Sequence, residues 1–300
     1  MRNNTILLLL LQLTARMLPT AQAQRLEHFD ILHFTLIQNA DGAWTANLPR
    51  FLTAGNPRGY NNQPQFFSNS DIYLSAQFPE DTTQTDIIAM NLSRQFLQRV
   101  TLTPGLSEYS PMLMPDGRHF STVRVEADGK QRLWMFPLDC SDTGRLVFPD
   151  IDGVGYHCWL NASDVALFLV GQPHVLVLAN TRQPQTLRIS AEIGRCLQKT
   201  PAGKLAFIHK ATEQTWYIKE YDPARQTSDI ITKTLAGSED FTILPDGAYI
   251  AGGGAKLFIY KPGKSVEWQL LADLSKYGVR SVTRVALSPD GRQLAVVVQY

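Results

Sequence analysis

Eight residues of the 300-residue chain could do chemistry together, because they return at intervals of about 40–47 residues: Glu108 and Tyr109, Tyr156 and His157, Arg195, Glu239 and Asp240, and Arg284. Arginine guanidiniums hold carboxylates or phosphates through paired hydrogen bonds. Tyrosines present a flat apolar face with a polar tip, and a histidine or carboxylate can act as acid or base. Gathered at one place, the set would make a pocket for an anionic or polar ligand. The same composition also arises where charges pair with one another across neighbouring structural units around a wet channel. Asn62, Glu108, Glu239 and Asp240 supply hard oxygen ligands of the kind a divalent cation takes, but two arginines in the same set oppose a metal. The expectation is a ligand site with no catalytic residue assigned, no metal and no cofactor.

Short catalytic phrases do not decide between these readings. The chain has no Gly-x-Ser-x-Gly elbow, no His-Glu-x-x-His, no Gly-x-x-x-x-Gly-Lys and no Cys-x-x-Cys. An enzyme is not excluded, since single residues from distant segments can still assemble a site.

What positions those residues is a repeated turn. Met114-Pro115-Asp116-Gly117, Leu244-Pro245-Asp246-Gly247 and Ser288-Pro289-Asp290-Gly291 are copies of one phrase, with Thr200-Pro201-Ala202-Gly203 a worn one. Glycines 203, 247 and 291 are 44 residues apart, a period of the kind that marks one blade per repeat. Proline pre-sets the second position of a type I turn, and glycine takes the left-handed conformation that returns the chain into an antiparallel strand. The flanks Val282–Leu287 and Gln293–Val298 are short and rich in β-branched residues, as strands are. Weaker turns at Ser70 and Ser163 raise the number of units to six.

Each unit reads as four antiparallel strands, the plan of a β-propeller blade. The sixth has two strands after Val282, and the N-terminal stretches Phe29–Gln38 and Ala43–Leu52 can complete it. Closure removes an open sheet edge. The expected fold is therefore all-β, a six-bladed propeller whose last blade is closed by N-terminal strands. Its blades are expected at about 60–105, 106–150, 151–194, 195–238 and 239–280, with 281–300 plus 27–55 as the last. Counting back eight and seven residues from each turn gives the start of the innermost strands: Asn62 and Gln63, Tyr109 and Ser110, Gly155 and Tyr156, Arg195 and Cys196, Glu239 and Asp240, Thr283 and Arg284. Glu108 and His157 lie one residue outside these rows. The chemistry-bearing set thus falls at one mouth of the central channel, opposite the Pro-Asp-Gly turns. Phe78–Thr85 is expected as the longest excursion on that face, long enough to reach over the mouth.

The units resemble the TolB-type, WD40-like propeller repeat of exported bacterial proteins. The resemblance rests on Ser-Pro-Asp-Gly-Arg followed by Leu294-Ala295, and on Gln131-Arg132-Leu133-Trp134 after an Asp-Gly turn, and spans about Tyr60 to Tyr300. It implies a fold and an exported setting, without implying a partner. The α/β domain that precedes the propeller in TolB has no room here.

Residues 1–23 read as a signal peptide: a positive start at Arg2, an apolar run from Ile6 to Leu11, and Ala21-Gln22-Ala23 for cleavage. Residues 24–300 would then form one propeller domain, periplasmic or secreted and monomeric, with no transmembrane segment. A net charge of +1 gives no broad field for nucleic acid. Cys140, Cys158 and Cys196 are too few for a disulfide framework. Cys158 and Cys196 fall on adjacent innermost strands, where buried free thiols are expected and a bridge is the alternative.

Two functions remain open. One is a non-enzymatic binding scaffold that holds a protein, peptide or cell-envelope component at the channel mouth. The other is a propeller hydrolase or lyase acting there on a small sugar-acid, lactone or glycan. The enzyme requires Glu108 or His157 to be unpaired and facing the pocket.

Overall fold

In the computed structural model, which describes residues 26–94 and 97–300, the repeated turn does what its residues dictate. Glycines 117, 203, 247 and 291 all have positive φ, between +64° and +81°. In each copy the glycine N–H donates to the carbonyl of the residue three positions earlier, and that residue's own N–H donates across the turn. The aspartates finish the job. Asp116 Oδ1 accepts from the Arg118 and His119 backbones, and Asp246 and Asp290 do the same for Ala248 and Arg292. The expected signal segment at 1–23 lies outside the described residues.

The strands assemble into six antiparallel sheets, giving a six-bladed β-propeller. Its innermost strands are Tyr60–Phe66, Ser107–Leu113, Val154–Trp159, Ile193–Lys199, Phe241–Ile243 and Ser281–Leu287. The last blade takes strands from both ends of the chain. Ser281–Leu287 pairs with Gln293–Gln299, which pairs with Asp30–Gln38, with Asp30 opposite Val298 and Thr35 opposite Gln293.

The outermost position of that blade is split. The expected strand 43–52 forms as two pieces, Trp44–Ala46 and Arg50–Phe51, both paired with Asp30–Gln38. Pro49 has no N–H to give a continuous ladder. Asn47 bridges the break, since its N–H donates to the Thr35 carbonyl and its Oδ1 accepts from the Thr35 N–H.

No single central core exists, because the channel occupies the centre. The apolar side chains pack instead between neighbouring blades. Met114, Val123, Trp159 and Leu167 join the second to the third, and Ile31, Leu74, Ile88 and Val297 join the last to the first. Between the first and second the filling is aromatic, with Phe120 stacked on Phe136 at 5.3 Å and Phe67 on Tyr73 at 3.8 Å. Strands sandwiched on both faces need apolar residues at every position, which explains the uninterrupted Leu294-Ala295-Val296-Val297-Val298.

Residues 78–85 do not form an excursion. Phe78 pairs directly with Asp81, so Pro79 and Glu80 are the whole turn and the following residues are strand. They give no lid over the mouth. Cys158 and Cys196 are free and buried, and Cys140 is free and exposed.

Candidate functional site at the channel mouth

Five of the six innermost strands break register near the mouth. The irregularities lie between Asn62 and Gln65, Tyr109 and Met112, Val154 and Tyr156, Ile193 and Leu197, and Val282 and Arg284. A bulge of this kind re-aims the side chains beside it. Two of the bulged residues, Gln63 and Ser110, have left-handed backbones, with φ of 53° and 54°. Each precedes a proline, a position that ordinarily favours extended backbone. The two are coupled, because the Ser110 N–H donates to both Gln63 Oε1 (3.1 Å) and Ser75 Oγ (3.0 Å).

All six blades contribute to a cavity of about 80 Å³ on the axis, through Gln63, Ser110, Tyr156, Arg195, Asp240 and Arg284. A wider one of about 220 Å³ opens beside it along Gly252-Gly253-Gly254 and Ser281–Thr283, and Arg195, Asp240 and Arg284 line both. Gly252 lets the last blade approach closely on this side. A Cβ on Gly252 would sit 2.4 Å from Val282 Cγ1.

Arg284 is the hub. One of its nitrogens donates to the Tyr156 hydroxyl at 2.9 Å and another faces Asp240 Oδ2 at 3.5 Å. The Arg284 and Asp240 side chains are only 11% and 12% exposed, so their interaction is little screened. Burial pushes the Asp240 carboxyl up, against the opposing pull of the Arg284 and Arg195 guanidiniums and of the Val285 N–H it accepts from. Burial also works against the charge on Arg284, but Tyr156, Asp240 and Tyr60 outweigh it and hold the guanidinium protonated.

Among the described residues, Arg195 makes one hydrogen bond, from Nη2 to the Thr283 carbonyl at 2.8 Å, and its buried Nε has no partner. The axial group therefore holds two cations and one carboxylate.

The other residues expected at the mouth are each engaged by a partner of their own. Glu108 is fully buried and accepts from Arg124 Nε at 3.0 Å and Thr101 Oγ1 at 3.2 Å. It is the cross-strand partner of Arg124, whose guanidinium lies 4.1 Å from the Trp134 ring centroid. Burial pushes the Glu108 carboxyl up, with Arg124 and the threonines opposing. Glu239 lines the wider cavity but is ion-paired with Lys210. Asn62, Glu108, Glu239 and Asp240 are consequently not gathered as a cation site.

His157 lines the axial cavity yet is 4% exposed, and its Nε2 lies 2.7 Å from Ser121 Oγ. Burial lowers its pKa to about 3, so it is a neutral imidazole. Tyr109 packs edge-on to Tyr60, with centroids 6.4 Å apart.

Tyr60 is a participant that the counted rows miss. Burial pushes its phenol up, with the Arg284 and Arg195 charges opposing and Tyr156 and Tyr109 close enough to add to it. It begins the first innermost strand just after Gly59, two residues before the counted row. The aromatic residues Tyr109 and Tyr156 on equivalent strands were the available signal.

No known family profile matches the chain, and no curated protein matches it in sequence. Solved structures do share its shape. A candidate TolB from Agrobacterium tumefaciens is 13% identical at a TM-score of 0.63, covering 91% of this chain and 99% of that one. TolB from Acinetobacter baumannii is 13% identical at 0.58, covering 90% of this chain, which spans 63% of the Acinetobacter protein. A candidate gluconolactonase is 9% identical at 0.56, covering 80% and 88%. At such identities the likeness is one of fold, shared by TolB-like and enzyme-named propellers alike.

Proposed function

We propose that this chain is an exported propeller that works as a non-enzymatic binding module, using its channel-mouth face to hold an anionic group of a protein, peptide or cell-envelope component. The observation that carries the reading is a division of the charges. Glu108, the candidate acid–base carboxylate, is sequestered by Arg124, and His157 lines the axial cavity as a neutral imidazole with its Nε2 against Ser121. Arg195 and Arg284 stay at the axial cavity with a single carboxylate between them. A site that offers cations, hydroxyls and a neutral imidazole, with its candidate proton-transfer carboxylate buried elsewhere, favours recognition over turnover. The TolB-like fold and the signal pattern at the N-terminus support an exported setting.

The test is capture from a bacterial envelope extract with wild type and with an Arg195→Ala, Glu239→Ala double variant. One partner retained by the wild type and lost from the variant is expected. Equal capture by both would sink the reading.

The alternative is a hydrolase or lyase acting on a small sugar-acid, lactone or glycan. It keeps two supports at the mouth cavity, the Tyr156 hydroxyl on Arg284 and the unpartnered Nδ1 of His157. A substrate screen in which turnover disappears in Tyr156→Phe, with folding intact, would favour it.

A further inference from the structure

Three buried polar atoms without a partner belong to residues that line the same axial cavity: Arg195 Nε, Ser110 Oγ and His157 Nδ1. They come from three different blades. Buried polar groups are nearly always paired, so their concentration around one space points to something that space is built to receive.

All three can donate. Arg195 Nε belongs to a guanidinium, which offers N–H donors and no acceptor. The Ser110 N–H is already held from behind by Gln63 and Ser75, which leaves the hydroxyl as the free polar group of that side chain. Ser121 Oγ accepts from Trp159 Nε1 at 2.9 Å, since an indole can only donate, and its single hydrogen fits the 2.7 Å contact to His157 Nε2 better than the 3.5 Å contact to the Met112 carbonyl. In the tautomer that this arrangement selects, the imidazole carries its hydrogen on Nδ1. The space is small, about 80 Å³, and Arg195, Arg284 and Asp240 leave it one positive charge in excess.

We propose that the axial cavity is a carboxylate chamber, in which Arg195, Ser110 and His157 donate to one carboxylate entering through the mouth. A carboxylate accepts several hydrogen bonds and carries the single charge that balances the excess. A phosphate dianion is larger and would overcompensate it. The left-handed backbones of Gln63 and Ser110 belong to this arrangement, since strain of that kind persists where a site needs it. The proposal deepens the binding reading above and rests on it, by naming the group recognised. That group can belong to a free small acid or to the C-terminus of a peptide.

The test titrates the purified full chain with acetate, with an N-acetylated tri-alanine bearing a free C-terminus, and with the same peptide amidated, following heat and melting temperature. Both carboxylates are expected to bind and stabilise, and the amide to do neither. Acetate binding as well as the peptide identifies a free acid as the source, while a tighter peptide identifies a C-terminus.

Arg195→Gln is expected to weaken carboxylate binding at least tenfold and Ser110→Ala at least threefold. Near-UV circular dichroism reports folding. Should Arg195→Gln fail to fold, Ser110→Ala carries the test.

A wild type silent to both carboxylates overturns the chamber, as does binding untouched by the variants that fold. Envelope capture that survives in such a protein leaves the mouth-face reading standing. Arg195-dependent carboxylate binding without any captured partner does the reverse.

Discussion

The two mouth arginines divide their labour. Arg284 is tied to Tyr156 and Asp240 in a water-poor setting, so removing it strands a buried carboxylate. Arg284→Gln should cost about 3 kcal/mol in urea unfolding, and Asp240→Asn in the same chain should recover part of that loss. Arg195 holds only the Thr283 carbonyl, and Arg195→Gln should cost about 1 kcal/mol or less. Similar losses for the two would contradict the division. His157 adds a pH signature. Its pKa falls from the ordinary 6.5 to about 3 through burial, so below pH 6.5 the unfolded chain binds a proton that the native protein refuses. Stability is full above that value and declines as pH falls toward 3, by about 1.4 kcal/mol per unit at most. Unfolding measured from pH 7 to 4 should show a shallower decline in His157→Gln than in wild type.

Among the elements, the turns carry the clearest expectation. Gly117 and Gly291 share the left-handed backbone, but a Cβ on Gly117 meets nothing within 4 Å, whereas one on Gly291 would lie 2.5 Å from Pro245 Cδ in the neighbouring blade. Gly117→Ala should cost about 1–2 kcal/mol for the backbone alone. Gly291→Ala should cost more, and equal losses in a thermal melt would remove the inter-blade contact as the cause. These turns are legible in the sequence because proline and glycine act on their own backbone, wherever the chain goes afterwards. The innermost strands are less legible. Counting from the turns finds Tyr156, Arg195, Asp240 and Arg284, but each bulge inserts residues and changes which way the next side chain faces. Glu108 therefore turns to Arg124 instead of the axis, and Tyr60, which feels the charges of both arginines, lies outside the counted row. The bulges depend on pairing with the second strand, which no local residue type announces. The split of residues 43–52 at Pro49 is the exception, since a proline in a strand is readable.

For the molecule as a whole, blade number and closure followed from the spacing of turns and from the missing half of the last blade. The partner did not, because a ring of six similar sheets is compatible with many tasks. Closure makes the ends interdependent. Deleting residues 26–38 would expose the full edge of Gln293–Gln299, whose Leu294 to Val298 are wholly buried. The truncated protein should lose its single sharp melting transition and self-associate, as light scattering would report; a monomer with an unchanged melt would mean that the ring does not depend on its seam.

That seam has a mechanical side. Asp30 lies opposite Val298 and the ladder runs away from both toward Thr35 and Gln293, so a pull on the two ends meets the hydrogen bonds one at a time. The joint would peel at low force like a zipper, where strands pulled from opposite ends would resist in shear. A ring sealed along this buried ladder would open readily to a machine that grips both strands at their Asp30 and Val298 end.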